Sequence, residues 1–188
     1  MPVAAIIGLG NPGAKYANTR HNAGCWLLER LVQSAGGTLV TEKKVLGDVA
    51  QVVLADTPVR LFRPATYMNE SGQAVRRLLD YYKLAPAELL VMHDELDLPP
   101  GTVRLKSGGG HGGHNGLRDI IAHCSDQFMR LRIGIGHPGD RSRVTGFVLH
   151  EPAAAERQLI EAALPDAERA IELLLCDGRE KAMHFLHS

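Results

Sequence analysis

The chain has 188 residues, 45% of them apolar and 22% charged, with 21 basic and 21 acidic side chains. That length fits one globular domain over 1–188 with material for a sizeable core, and the balanced charge excludes a uniformly basic or acidic protein. No apolar run nears the roughly 18 residues that cross a bilayer, so no membrane association is expected.

Val3–Leu9 reads as a buried strand, too short and without the basic flank for a secretory signal. It runs into Gly8-Leu-Gly-Asn-Pro-Gly13, which spells GxGxxG. A dinucleotide fingerprint needs a helix to open at once. Here polar residues continue through Lys15–Asn22, and Pro12 lacks an N–H that a pyrophosphate would use. The turn is therefore read as presenting Asn11, and the loop after it as presenting Tyr16, Arg20, His21 and Asn22.

Ala23–Ala35 has helical spacing of Trp26, Leu27, Leu31 and Val32, ended by Gly36-Gly37. Val49–Leu54 and Val59–Phe62 read as paired strands around Asp56-Thr-Pro58, and Ser71–Tyr82 as an amphipathic helix. Leu89–Met92 is a short buried strand stopped by His93-Asp-Glu-Leu-Asp97, and Thr102–Leu105 a strand leading into Lys106–Gly116. Leu117–His123 follows as a helix and Leu131–Ile135 as a strand. From Pro152 onward the chain reads as helical, with Pro165 dividing it into two helices. Strands interleaved with helices, plus one hairpin-like pair, predict an α/β fold: a single domain with a twisted mixed β-sheet and helices packed on both faces.

Within Lys106–Gly116 six of eleven residues are glycine, and the others include His111, His114 and Asn115. Glycine buries no side chain and loses the most backbone freedom on folding, so the stretch reads as a binding loop where backbone approaches a ligand. Residues 100–145 hold seven basic against three acidic side chains, while 146–188 hold four against eight. This local excess permits a polyanionic partner. Cys25, Cys124 and Cys176 are odd in number and widely spaced, which argues for reduced thiols and a cytoplasmic location.

Asp94 is expected at the carboxyl edge of its strand, where loops of an α/β sheet converge on one crevice. There it could pair with His21, fixing the tautomer and leaving the second ring nitrogen as a general base. Asn69 and Asn115 each precede a helix, a favoured place for an asparagine cap, and with Asn11 they equally suit a shared crevice. No serine sits in a nucleophile elbow and no cysteine has activating neighbours, so a hydrolase here would use water. His93, Asp94, Glu95, Asp97, His111 and His114 could ligate a metal, but none falls in a strong signature. No metal or other cofactor is expected.

In GLGNPGAKYANTRHNAG (Gly8–Gly24), RPATYMNESG (Arg63–Gly72), HDELDLPPG (His93–Gly101), GGGHGGHNGLRDI (Gly108–Ile120) and RLRIGIGHPG (Arg130–Gly139) the chain resembles the bacterial peptidyl-tRNA hydrolases. The five stretches occur in family order, whereas the helices past Pro152 carry little of the match. The resemblance implies a monomeric, metal-independent enzyme that hydrolyses the ester between a peptide and the 3′-terminal adenosine of tRNA, recycling prematurely released peptidyl-tRNA. Carried over by position, His21 is the general base and Asp94 its orienting partner. Asn11, Asn69 and Asn115 hold substrate and the attacking water. Tyr16, Met68 and His114 line the pocket for the terminal nucleotide or peptide, and Lys106 and Arg132 grip phosphate at the tRNA 5′ end. Two other readings stay open, a non-catalytic RNA-binding module on the same fold and a metal-dependent hydrolase.

Overall fold

A computed structural model describes residues 2–187. In chain order its elements are β1 (Ala5–Gly8), α1 (Ala23–Ser34), β2 (Val40–Glu42), β3 (Gly47–Leu54), β4 (Thr57–Pro64), α2 (Ser71–Tyr82), β5 (Leu89–Glu95), β6 (Val103–Ser107), α3 (Asn115–His123), β7 (Met129–Gly134), α4 (Val144–Val148), α5 (Ala154–Asp177) and α6 (Arg179–His187). The strands form one sheet in the order β2-β3-β4-β1-β5-β7-β6. β4, β1, β5 and β7 run parallel, while β2–β3, β3–β4 and β6–β7 pair antiparallel. The sheet is mixed, as the hairpin in the sequence predicts.

Side chains alternate across a pleated strand, and β1 divides its residues between two cores. Ile6 packs with Leu27, Leu90, Leu164 and Ile171 under α1 and α5. Ala5 and Ile7 pack with Phe62, Leu78 and Leu117 under α2 and α3. Helices therefore cover both faces, and none among the described residues is long and apolar enough to cross a membrane.

Two expectations are corrected. β5 continues through Glu95, because the ladder with β7 pairs His93 with Arg132, Asp94 with Ile133 and Glu95 with Gly134. Asp94 thus lies within a strand, not beyond it. Pro165 does not divide the C-terminal helix: α5 runs unbroken for 24 residues. An internal proline costs a helix about 3 kcal/mol, but Ile160, Ala163, Leu164, Ala167, Ala170 and Ile171 all bury on the core side of this one. The chain breaks at Gly178 instead, where φ is +91°. The three-residue edge strand β2 carries too little pattern to be seen in the sequence.

One glycine fixes how α1 meets the sheet. A Cβ at Gly24 would run into the Met92 carbonyl oxygen and lie 2.9 Å from the Leu9 nitrogen, at the point where Leu9 N–H donates to Met92 C=O. The start of α1 therefore rests directly on the β1–β5 seam. We expect Gly24→Ala to lower unfolding stability by about 1–3 kcal/mol, as overpacked sites do; the denaturant midpoint reads this.

Candidate active site

The segments after β1, β4 and β5 leave the same edge of the sheet, and they supply Asn11, Met68–Asn69 and the residues following Glu95. The glycine-rich segment arrives differently. β6 runs antiparallel to β7, so Ser107 ends beside Met129, at the start of β7 and away from Asp94. The chain must travel back along the sheet face between Gly108 and His114. Gly108, Gly109, Gly112 and Gly113 all have positive φ on the way, a conformation that L side chains rarely adopt. Arg130, only 1% exposed, anchors this strip by donating to the carbonyls of Gly110 (2.5 Å), Gly109 (2.6 Å) and Asp126 (3.1 Å).

The strip delivers His114 to Asp94. The Asp94 carboxylate accepts from His21 Nδ1 at 2.8 Å through one oxygen and from His114 Nε2 at 2.8 Å through the other. His114 Nδ1 accepts two backbone N–H groups at the start of α3, from Gly116 (3.1 Å) and Leu117 (3.2 Å). Its proton therefore sits on Nε2, and its tautomer is set by the helix it caps. This corrects the reading of Asn115 as a cap: His114 is the cap, Asn115 opens the helix, and its side chain accepts from Arg118 at 3.3 Å. Asn69 does not cap α2 either; it lies exposed in the short turn Met68–Glu70.

Burial would raise the Asp94 carboxyl, but the two imidazoles outweigh it and hold Asp94 well below the usual carboxylate range. For His21, burial alone would lower the ring's affinity for a proton; the Asp94 charge and hydrogen bond overcome it and raise the pKa above 6.5. With Nδ1 given to Asp94, His21 keeps Nε2 without a protein partner among the described residues. His93 lies behind, its ring 5.1 Å from that of His114, and burial followed by that neighbour pushes it down to about 4. It is a neutral packing imidazole.

Asn11 is held from both sides. Its backbone N–H donates to Asn22 Oδ1 and its carbonyl accepts from Asn22 Nδ2, each at 2.9 Å. Its side-chain Oδ1 accepts from Met68 N–H at 2.7 Å. That leaves the Nδ2 donors without a protein partner among the described residues. Both Asn11 and His21 line a cleft of about 680 Å³, together with Met68, Asn69, Asp94, His114 and Asn115. Leu96, Val144, Val148 and Leu149 give one side of it an apolar wall. None of the lining residues is serine or cysteine. Cys25 is sealed away, and burial pushes its thiol up to about 12, so the site offers a base and a fixed amide for an attack by water.

His21, Asp94 and His114 could bring three ligand atoms within 4.8 Å of one another. His114 is fully committed, its Nδ1 accepting hydrogen bonds and its Nε2 carrying a proton, and each Asp94 oxygen already accepts one hydrogen bond and keeps its second lone pair within a side chain only 1% exposed. Ligation by His114 would break this arrangement. The donor set fits a hydrogen-bonded charge pair better than a cation.

Three expected residues lie away from the cleft lining. Tyr16 does not line it; its ring packs edge-on against Tyr67 with centroids 6.5 Å apart. Lys106 and Arg132 sit on the antiparallel β6–β7 pair, Lys106 opposite Arg130 and Arg132 opposite Arg104. Lys106 is exposed, whereas Arg132 Nε donates to Glu95 at 2.9 Å. The basic excess of 100–145 is therefore not one open patch, because Arg130 is interior and Arg104 donates to the carbonyls of Val103 and Leu186. Asn22 and Arg130 hold the site together; the sequence presents Asn22 in the same polar loop as His21 and counts Arg130 in the basic excess, but nothing in it marks either as a tether.

The family model described as Peptidyl-tRNA hydrolase matches residues 5–188. Peptidyl-tRNA hydrolase of Shewanella putrefaciens is 53% identical over 188 residues, covering 99% of this chain and 96% of that protein. That of Edwardsiella ictaluri is 52% identical over 189 residues, covering 100% and 96%. The crystal structure of peptidyl-tRNA hydrolase from Acinetobacter baumannii superposes with a TM-score of 0.96 at 47% identity, over 99% of this chain and 95% of that one. With a family match across nearly its whole length and relatives above half identity, the chain belongs to the peptidyl-tRNA hydrolase family.

Proposed function

We propose that this chain hydrolyses the ester between a peptide and the 3′-terminal ribose of tRNA, releasing both for reuse, and that it acts as one domain and as a cytoplasmic monomer. The observation that carries the reading is His21 lining the cleft with Nδ1 on Asp94, Nε2 free, and the oriented Asn11 amide lining the same cleft. His21 Nε2 takes a proton from water as the oxygen attacks the ester carbonyl, and Asp94 stabilises the imidazolium. The leaving 3′-oxygen recovers that proton. Asn11 Nδ2 donates to the developing oxyanion, while Asn69 and Asn115 hold substrate at the mouth. Met68 and the apolar wall accept varied peptide side chains, and His114 closes the floor. Tyr16, packed edge-on against Tyr67, takes the terminal nucleotides in this reading.

Incubation with N-acetyl-aminoacyl-tRNA tests the proposal: free tRNA and acyl acid should appear catalytically, without added metal. Tight tRNA binding with no release of the acyl group would instead make the protein an RNA-binding module, and loss of turnover with chelator, restored by a divalent ion, would make it a metal-dependent hydrolase. Asn11→Ala should lower kcat by about 10²–10³-fold, the usual cost of one oxyanion donor, in a single-turnover assay.

Lys106 and Arg132 contact phosphate of the acceptor stem in this reading. Supporting it, Lys106 stands exposed beside the glycine strip, and the Arg132 bond to Glu95 runs through Nε. We expect Lys106→Ala to weaken binding of all tRNAs alike and to reduce the slope of log affinity against log salt by about 1. Titration at several salt concentrations decides; an unchanged slope removes Lys106 from the contact.

A further inference from the structure

The residue before the candidate base is buried, charged and unused by the chemistry above. Arg20 is 8% exposed. Its backbone N–H donates to the His150 carbonyl at 3.0 Å, and its Nη1 donates to the Phe147 carbonyl at 2.9 Å. Its guanidinium carbon lies over the Phe147 ring, 3.8 Å from the centroid, and Nη2 reaches Glu156 at 3.4 Å. One side chain thus holds the last turn of α4, the ring that turn carries, and the first turn of α5.

What Arg20 holds is lightly anchored elsewhere. The turn Arg141–Arg143 buries nothing, and α4 fully buries only Val148, with Val144 and Phe147 packed partly buried against the core. Yet Arg141, Val144, Thr145, Val148 and Leu149 form one wall of the cleft. The opposite face of the same helix, with Gly146, Phe147 and Arg143, borders a second recess of about 420 Å³ that Arg20 also lines. The wall therefore has open space on both sides. A five-residue helix with one buried side chain is not self-supporting.

We propose that Arg20 is a positioning residue that latches the α4 wall to the turn bearing His21, so that the width of the cleft is set from that turn while Asp94 holds the base itself. The stacked guanidinium explains why arginine is needed. A lysine could keep the ion pair with Glu156 but not the contact over the Phe147 ring together with a directed bond to its carbonyl. The kinetic consequence rests on the hydrolase reading above; the structural consequence does not.

The test uses Arg20→Lys and Phe147→Leu in the full chain, with amide hydrogen exchange and steady-state kinetics on N-acetyl-aminoacyl-tRNA. Amides of 144–149 should exchange about tenfold faster or more in both variants while those of β1 and β5 stay unchanged, the pattern of local rather than global opening. KM should rise about five- to tenfold with kcat within about threefold, and the pH midpoint of kcat should not move, because the His21–Asp94 bond is intact. Wild-type exchange at 144–149 in both variants overturns the latch, as does faster exchange throughout the sheet, which would make Arg20 a general stabiliser. Full retention of wild-type KM by Arg20→Lys reduces the residue to a counter-ion and also overturns it. If the unaltered protein cleaves no ester, the hydrolase reading falls and the exchange data still decide the latch.

Discussion

His21→Ala should lower kcat by about 10²–10⁴-fold, the span that a general base contributes, with KM on N-acetyl-aminoacyl-tRNA changed by less than about threefold. The ring sits at the floor of the cleft and its single accessible function is the Nε2 lone pair, so its removal takes away proton transfer and little binding surface. A comparable rise in KM would show that His21 holds substrate instead. The pH profile of the unaltered enzyme gives a second reading of the same group. Only the neutral ring can accept a proton from water. Asp94 raises the His21 pKa above its ordinary 6.5, so protonation persists to higher pH and activity should be lost, as pH falls, through a midpoint above 6.5. A midpoint below 6.5 would mean that burial outweighs the carboxylate and that the pair is weaker than its 2.8 Å separation implies.

The sequence made some parts of this site readable and left others hidden, and the division follows the range of the interactions. Alternating and helical periodicities report on burial over a few residues, so β1, α1, α2 and the mixed character of the sheet could be read directly. Residues placed by a strand end were also accessible: Asn11 follows β1, Asn69 follows β4, and Asp94 belongs to β5. His114 was read as a pocket residue of the glycine loop, but its bond to Asp94 was not readable, because its approach depends on a strip that recrosses the sheet face and is tethered by Arg130, well beyond the end of that strip. Asn22 pairs with Asn11 across eleven residues of irregular turn with no periodic signal. The asparagine at the start of α3 looked like a cap because asparagine usually is one; only the Asp94 contact explains why a histidine takes that position.

The same contact makes Asp94→Asn more damaging than its small size change suggests. The carboxylate accepts from both imidazoles, but an amide offers one acceptor and one donor. His114 cannot adapt, since its Nδ1 is committed to the N–H groups of Gly116 and Leu117 and its Nε2 must donate. The amide oxygen therefore stays with His114, and the N–H₂ turns toward His21. There His21 Nδ1 must become the acceptor, so the ring proton moves to Nε2, the nitrogen that should receive a proton from water. We expect kcat to fall by about 10²–10⁴-fold with tRNA affinity nearly unchanged, and the pH at half-maximal residual activity to drop as the raising influence of Asp94 is lost. Nitrogen-15 chemical shifts of His21 report the tautomer directly: protonated Nδ1 in the unaltered protein, protonated Nε2 in the variant. If Asp94→Asn keeps the original tautomer and still loses its rate, then charge stabilisation of the imidazolium, and not orientation of the lone pair, is the carboxylate's main contribution.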